Sequence, residues 1–510
     1  MTIQTEIPVL ADESERGDVS ASRRMSRNVL VLGTGQGLNL IASLVMAVML
    51  PRYLGDVGLG RLSFAIATIA ICGLLARFGT ETFLTKQIAV RREAASSYVV
   101  NGLALRVPLL VITSLLVIVL ANVAGLNGVT KQLVYVALVA MMLEAMANVL
   151  AAALQGLEDM TPVARVLAFG KVVQAIVVVI LLLKGYGVVE VAAALSISGF
   201  LSLILWGAYF LRQFEVRAKI DPALCLQILR GGFPFLIWQA SLFIYGQIDI
   251  VLLSLFTRDA VVGWYSASYR LVNVAIVIPA IIAAASLPAL SAFASKDKYQ
   301  VQRLANHATR LVLVATIPVS VGLMVTADRI ISFLGFPEEF AHSVPIMIIV
   351  AASIPFVSID MVIGNALIAT NKQTSWAVIS SAAAIVNLCL NCAAIPIAEH
   401  FLDNGGVGAA IATLATELFV MAAGVRLVGG RKVVFDDANR IFGLKCTCSA
   451  IVMGALVLLM PFVHIVLIAL GGACIYVVFL VVLHVTSLKE LRGLVNMTVR
   501  SLHEGAARKR

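Results

Sequence analysis

The stretch IDIVLLSLFTRDAVVGWYSASYRLVNVAIVIPAIIAAASLPALS, from Ile248 to Ser291, holds two long apolar segments with a short polar joint between them. A helix needs roughly 20 predominantly apolar residues to cross the hydrocarbon of a membrane. With their flanking residues, both segments reach that length, so the stretch predicts two consecutive transmembrane helices. It also places two charged residues, Asp249 and Arg270, inside them.

The same alternation runs along the whole chain. Of its 510 residues, 60% are hydrophobic and 13% are charged, and the mean hydropathy is +0.99. Soluble domains average roughly 45–50% apolar and about 25% charged residues. The apolar residues fall into blocks of membrane-spanning length, so we predict an all-α membrane protein with about 14 transmembrane helices. The last two are separate only if the residues from Pro461 to His464 form a tight turn.

The net charge of +10 is distributed unevenly between alternate joints. With the N-terminus in the cytoplasm, most Lys and Arg residues fall on the cytoplasmic side, as the positive-inside rule requires. The opposite side would hold far fewer, namely Arg52, Arg61, Lys131, Lys184, Arg258 and Arg329. We therefore expect both termini in the cytoplasm and no nucleic-acid partner.

Two similar segments indicate that the chain is duplicated. LPRYLGDVGLGRLSFA (Leu50–Ala65) follows the first span and LFTRDAVVGWYSAS (Leu255–Ser268) follows the seventh, with Gly58 aligned to Gly263. Six spans per half predict two parallel six-helix bundles, a central cleft suited to alternating access, and two additional C-terminal helices. The expected organisation is a disordered cytoplasmic tail (1–26), a first bundle (27–212), a cytoplasmic linker with an amphipathic helix (213–232), a second bundle (233–428), helices thirteen and fourteen (429–487) and a basic cytoplasmic tail (488–510).

Four charged residues inside the spans form two predicted pairs. A charge at the bilayer centre costs about 2.5–3.5 kcal/mol, so it normally faces a partner or a cavity. The helical rise puts Asp249 and Arg270 at similar depth on consecutive helices, and it does the same for Arg106 and Glu144 in spans three and four. Each pair could either fix neighbouring helices together or serve a substrate or a coupling ion.

Two further carboxylates, Asp360 and Glu417, have no basic neighbour in the sequence. They are candidates for binding a proton or a sodium ion as the coupling ion, or they lie near an aqueous mouth. Arg77 and Glu81 have the i, i+4 spacing of a local pair on the surface of one helix.

The sequence contains no pattern that predicts an enzyme. The glycine-rich run Gly33–Gly37 lies inside a span and follows no strand, so close helix packing explains it better than phosphate binding. The pairs Cys389-x-x-Cys392 and Cys446-x-Cys448 have no partner pair or nearby His that would complete a zinc site. We expect no catalytic residues, no metal, and no cofactor apart from H⁺ or Na⁺ as a coupling ion.

Two stretches resemble the polysaccharide-export flippases of the multidrug/oligosaccharidyl-lipid/polysaccharide exporter superfamily. The first has an Asp in span seven, Gly-x-Tyr after it, then a basic residue and two prolines, carried here by Asp249, Gly263, Tyr265, Arg270, Pro279 and Pro288. The second has Asn-x-x-x-Asn, then Pro and Gly-x-x-Gly-Ala-Ala, carried by Asn387, Asn391, Pro396, Gly405, Gly408, Ala409 and Ala410.

The resemblance implies a multi-pass flippase of the bacterial inner (cytoplasmic) membrane. Its substrate would be a polyprenyl-pyrophosphate-linked oligosaccharide, moved from the cytoplasmic to the outer leaflet for polysaccharide export. Its other partners would be membrane lipids and the polymerase and glycosyltransferases of polysaccharide assembly. The alternatives are a lipid II-type flippase or a cation-coupled drug or metabolite exporter of the same superfamily. A membrane-embedded glycosyltransferase would need large catalytic loops, which the sequence lacks, and a non-transporting scaffold would not explain the duplication.

Such a substrate predicts which residue types would bind it. A pyrophosphate favours guanidinium and ammonium groups, and the basic residues closest to the expected cleft are Arg52, Arg61, Arg106, Lys171 and Arg270. Sugars favour side-chain amides, for which the candidates are Gln36, Asn39, Gln239, Gln247, Asn273 and Asn387. The same residue types also bond one helix to another or extend to the membrane interface.

Overall fold

The computed structural model describes residues 10–126, 128–214, 219–294, 298–428, 436–460 and 464–483, with side chains from residue 37 onward. In these residues the regular structure is helical. The α-helices are α1 (Leu10–Arg77), α2 (Thr80–Val90), α3 (Ala95–Val123), α4 (Gly128–Gly156), α5 (Met160–Leu183), α6 (Val188–Leu195), α7 (Ile197–Gln213), α8 (Pro222–Phe256), α9 (Asp259–Ala294), α10 (Lys298–Phe333), α11 (Ser343–Ala369), α12 (Gln373–Leu402), α13 (Gly405–Val428), α14 (Asp437–Leu458) and α15 (Ile465–Val482).

Thirteen helices of the described chain are long and apolar enough to cross a membrane. The first of them covers 41 residues, Gly37–Arg77, which is about twice the length of one crossing. It contains a break at Gly55, whose φ of 68° and ψ of −179° are not helical. The predicted first and second spans are the two parts of this broken helix. The all-α membrane fold with about fourteen crossings is therefore confirmed.

Two predicted boundaries differ from the structure. Residues 10–26 are helical and continue into the first crossing, where a disordered tail is predicted; a helix that has already formed extends at little cost. The expected separate amphipathic helix is instead the beginning of α8, which runs without interruption from Pro222 to Phe256. The predicted turn at residues 461–463 and the basic tail at 488–510 lie outside the described residues.

The chain forms two compact units whose limits differ from those predicted. Unit 1 contains residues 1–54 and 61–247, and unit 2 contains residues 55–60 and 248–510. The division falls inside α8 and not in a linker before it. The sequence Gly231-Gly232 suggests such a linker, but in unit 1 these glycines let α8 pack closely: a Cβ at Gly231 would lie 2.1 Å from the Phe83 ring, and one at Gly232 would lie 2.6 Å from the carbonyl oxygen of Phe78.

Residues Gly55–Gly60 join unit 2 because they contact the start of α9. A Cβ at Gly263 would lie 2.0 Å from the carbonyl oxygen of Asp56, and one at Gly60 would lie 1.8 Å from that of Asp259. The indole N–H of Trp264 donates a hydrogen bond of 3.0 Å to Asp56. The two repeated segments identified in the sequence therefore pack against each other, with glycine at the points of closest approach.

Apolar side chains lie both inside the units and on their outer faces. A buried cluster in unit 1 includes Leu84, Tyr98 and Trp206. On the outer face of α3, side chains such as Leu115 and Val119 are 58% and 55% exposed. Exposed aliphatic side chains of this kind suit contact with lipid.

Candidate functional site

A buried carboxylate in unit 2, that of Asp249 near the end of α8, is held by three helices. Asp249 is 7% exposed. Its Oδ1 accepts a hydrogen bond of 2.8 Å from the Nδ2 of Asn391 on α12. Its Oδ2 accepts bonds of 2.8 Å from the hydroxyl of Tyr265 on α9 and 3.0 Å from that of Thr413 on α13. Side chains from four helices therefore meet at one carboxylate.

Two asparagines on α12 extend this arrangement. Asn387 and Asn391 are one turn apart, and they are 1% and 0% exposed. The Nδ2 of Asn391 lies 3.1 Å from the Oδ1 of Asn387, and the Nδ2 of Asn387 donates to the hydroxyl of Thr416 at 3.4 Å. The Oδ1 of Asn391 is buried and accepts no hydrogen bond from a described residue. We call Asp249, Tyr265, Asn387, Asn391 and Thr413 the Asp249 cluster.

The Asp249 cluster has the chemistry of a site for a hard cation. It concentrates oxygen atoms of a carboxylate, two amides and two hydroxyls, which are the ligands that alkali and alkaline-earth ions prefer. All the hydrogen bonds to Asp249 come from neutral groups, so its negative charge is not balanced by a basic side chain of the cluster. A sodium ion or a proton would supply that balance.

The predicted pair of Asp249 with Arg270 is wrong. The hydrogen-bonding partners of Asp249 are Tyr265, Asn391 and Thr413. Arg270 follows Tyr265 by five residues on α9, which turns its direction by about 140° around the helix. Similar depth on adjacent helices, which the sequence does predict, is therefore not sufficient for contact.

The predicted pair of Arg106 with Glu144 is also wrong. Arg106 is 1% exposed, and its guanidinium donates to the carbonyl oxygen of Ala76 and lies 3.5 Å from Glu81. Glu144 is instead 3.8 Å from Arg77. The four charges are therefore present in unit 1 with exchanged partners.

A break in the helix explains this exchange. Arg77 and Glu81 would form a local pair only on one continuous helix, but α1 ends at Arg77 and α2 begins at Thr80. Between them, Phe78 and Gly79 have φ values of 49° and 65°, which reverse the local backbone. The break directs Glu81 toward Arg106 and leaves Arg77 to Glu144.

The two remaining carboxylates, Asp360 on α11 and Glu417 on α13, come together in unit 2. They are 5% and 8% exposed, and their side chains lie within hydrogen-bonding reach of each other.

The other predicted substrate ligands occupy separate places. In unit 1, Asn39, Arg61, Lys171, Gln239 and Gln247 are half-buried and Arg52 is exposed; in unit 2, Arg270 is half-buried and Asn273 is exposed. The Nζ of Lys171 donates to the Oε1 of Gln174 at 3.2 Å. The side chain of Gln36 lies outside the described part of the chain. Their contact with a substrate stays a prediction, while Asn387 belongs to the Asp249 cluster.

Sequence reasoning did not assign three members of this cluster. Tyr265 and Asn391 were recognised as motif residues without a role in binding Asp249, and Thr413 was not singled out. The spacing of Asn387 and Asn391 places two amides on one face of an apolar helix, and this signal indicates a buried polar site. Thr413 gives no comparable signal because threonine is common in transmembrane helices, where its hydroxyl can bond to its own backbone, here to Ala409 at 3.0 Å.

A cavity of about 1160 Å³ lies between α10, α14 and α15 of unit 2. Its walls are mainly aliphatic and include Val314, Leu323 and Ile468. His307 and Arg310, near the beginning of α10, are its charged or titratable lining residues.

A family model described as polysaccharide biosynthesis protein matches residues 25–294, which is more than half of the chain. The chain belongs to the polysaccharide biosynthesis protein family. A second model, MatE, matches residues 234–393, a range that contains Asp249, Asn387 and Asn391. No curated protein sequence matches the chain significantly.

Solved structures share the fold of this family member. A lipid II flippase, MurJ, in an inward closed conformation is similar with a TM-score of 0.71 and 16% identity, over 89% of this chain and 98% of that chain. An inward-facing multidrug resistance MATE transporter of the MOP superfamily gives 0.61 and 16%, over 76% and 94%. The eukaryotic MATE transporter AtDTX14 gives 0.53 and 15%, over 80% and 95%. The predicted membership of the exporter superfamily is confirmed, and the chain is a multi-pass membrane protein among its flippases and exporters.

Proposed function

We propose that this protein is a flippase that moves a polyprenyl-pyrophosphate-linked oligosaccharide from the cytoplasmic to the outer leaflet of the bacterial inner membrane by alternating access. The observation that carries the proposal is the large aliphatic cavity between α10, α14 and α15 in a member of the polysaccharide biosynthesis family. A fold similar to that of a lipid II flippase supports it.

The cavity suits the lipid part of such a substrate. Its volume of about 1160 Å³ slightly exceeds the upper end of pockets for drug-sized ligands, roughly 1,000 Å³. A polyprenyl chain is a long, branched hydrocarbon, and aliphatic walls can pack against it along its length. A free sugar or a compact drug cation would leave most of these walls without a matching surface. The prenyl tail is therefore the proposed occupant.

The polar part of the substrate and the coupling ion would bind elsewhere. The basic residues and amides predicted from the sequence are the proposed ligands of the pyrophosphate and the sugars. The Asp249 cluster is the proposed site of the coupling ion, because its oxygens surround a carboxylate that no basic side chain of the cluster balances. Both termini are proposed to be cytoplasmic, and the polymerase and glycosyltransferases of polysaccharide assembly are the proposed partners.

The test is a flipping assay in proteoliposomes that contain a labelled polyprenyl-pyrophosphate oligosaccharide. The variants Ala315→Trp and Ala469→Trp place a ring in the cavity and should slow flipping about tenfold, equivalent to about 1.4 kcal/mol. Val119→Trp adds the same ring to an exposed position on α3 and is the matched control.

A comparison of tail lengths makes the assay specific for the cavity. The wild type should move a long-chain substrate faster than one with a short prenyl tail, and the filled variants should lose that preference. If the wild type moves no lipid-linked glycan but exports cationic drugs, the alternative transporter function is correct.

A further inference from the structure

Asp360 and Glu417 form a carboxyl pair that the Asp249 cluster does not explain. They lie on α11 and α13, two helices that pack against each other in unit 2. Asp360 is 95% buried, since its exposed fraction is 5%, and neither of its carboxylate oxygens accepts a hydrogen bond from a donor group of the described chain. The neighbouring group that interacts with it is the carboxyl of Glu417.

Two carboxyl groups in this position cannot both be ionised. Like charges at hydrogen-bonding distance repel strongly where water is excluded, and a buried carboxylate without a donor lacks any compensation for its lost hydration. A single proton between the two groups removes the repulsion and gives one oxygen a donor to accept from, as in other carboxyl pairs that share a proton. The geometry is therefore complete only when a proton is bound.

The surrounding helices supply no evident substitute for that proton. On α9, the titratable group that acts electrostatically on Glu417 is Tyr269, and Arg270 follows it. On α12, the buried polar groups are neutral asparagines. On α10, His307 and Arg310 line the aliphatic cavity, and Arg310 bonds to Asn439.

We propose that Asp360 and Glu417 hold one exchangeable proton between them and form a proton site of unit 2 separate from the Asp249 cluster. The role of this proton in transport rests on the proposed flippase function. Because the two carboxyls are on different helices, a change in the spacing of α11 and α13 would alter their proton affinity. Such a change is what a transport cycle provides.

Tyrosines connect the proton site with the Asp249 cluster. Tyr269 interacts electrostatically with both Asp249 and Glu417. Its ring stacks on that of Tyr265 at a centroid distance of 5.7 Å, and Tyr265 donates its hydroxyl hydrogen to Asp249. Charge at one site therefore acts on the other, so the occupancies of the two sites are expected to be linked.

The proton itself can be detected in the purified full-length protein by infrared spectroscopy. The wild type at neutral pH should show a carboxylic-acid carbonyl band that shifts in D₂O and is missing from the double variant Asp360→Asn/Glu417→Gln. Glu417→Asp preserves a carboxyl pair and should retain a band, while Asp437→Asn, at a side chain that is 98% exposed, should leave the spectrum unchanged. A difference spectrum without this band, with all variants eluting as folded protein, overturns the proton site.

Coupling is tested separately with the labelled lipid-linked oligosaccharide in proteoliposomes. An imposed proton gradient should change the wild-type flipping rate about tenfold and should leave the rate of the double variant unchanged. Equal responses of both proteins overturn proton coupling while the flippase function stands. If no glycan is flipped by the wild type, the flippase function fails, and the infrared result alone decides the proton site.

Discussion

At the scale of single residues, buried charges in this protein are balanced in two different ways. Arg106 lies beside a carboxylate of opposite charge, Glu81, at 3.5 Å. Asp249 is surrounded by neutral hydroxyl and amide groups. The first arrangement is complete within the protein and fixes helices, whereas the second leaves a net charge that a cation can neutralise.

We predict that Asp249→Asn abolishes stabilisation by sodium. An ion that binds only the folded state stabilises it by about 2.7 kcal/mol at a hundredfold excess over its Kd. The wild type should therefore show a higher thermal midpoint in NaCl than in choline chloride, and the variant should show the same midpoint in both salts. Asp437→Asn is the control that should behave like the wild type. Equal midpoints for the wild type in both salts would contradict sodium binding.

We predict that Arg106 is coupled energetically to Glu81 and not to Glu144. Removing one partner of a buried ion pair costs about 3–5 kcal/mol, so Arg106→Met should be strongly destabilising. Adding Glu81→Gln should recover part of this loss, with a coupling energy of about 0.5–3 kcal/mol. Adding Glu144→Gln should give effects that are simply additive. The measurement is a double-mutant cycle on thermal unfolding, and the reverse pattern would support the pairing expected from the sequence.

The residue scale is also where sequence reasoning was least successful. It identified the buried charges, because charged residues in apolar spans are conspicuous, but it assigned both predicted pairs wrongly. Pairing depends on the direction of each side chain around its helix and on the backbone reversal at Phe78 and Gly79. Neither property can be calculated from the depth of a residue in its span.

At the scale of helices, the sequence predicts which segments cross the membrane because the apolar blocks have the required length. It fails at the beginning of α8, where two glycines and Pro234 read as a break. Those glycines are positions of close contact for α8, and proline is tolerated within a transmembrane helix. Glycine therefore has two meanings that local sequence does not separate.

We predict that Gly263→Ala destabilises the protein and that Gly246→Ala does not. The added Cβ at position 263 would lie 2.0 Å from the carbonyl oxygen of Asp56, and overpacking of this kind typically costs about 1–3 kcal/mol. At Gly246, also in a helix, nothing lies within 4 Å of the added Cβ. The two variants share the same chemical change, so a difference in thermal midpoint isolates the contact with Asp56. Equal midpoints would show that the 55–60 segment can move away without cost.

At the scale of the whole molecule, the sequence correctly predicts an all-α membrane fold of about fourteen crossings and the exporter superfamily. It places the boundary between the halves in the polar joint before α8. The structure places it inside α8, between residues 247 and 248, and assigns residues 55–60 to unit 2. Composition marks where the chain is polar, but the limits of a unit are decided by which side chains pack together.

We predict that the protein can be split between residues 214 and 219 and still assemble. The first fragment would carry Gly55–Gly60, which belong to unit 2, and the second would carry the part of α8 that belongs to unit 1. Each fragment therefore contains packing surfaces that the other completes. The two tagged fragments, expressed together, should co-purify through detergent, while either fragment alone should be degraded; stable accumulation of each fragment alone would contradict this.

The exchange of these segments also restricts how related proteins can be recombined. A chimera that joins the first half of one homologue to the second half of another at the polar joint would bring a foreign 55–60 loop against α9, where Gly60 and Gly263 leave no room for a mismatch. Viable hybrids should carry this hexapeptide from the same parent as α9 and should change parents within α8. Cargo preference could then be transferred between homologues without loss of assembly.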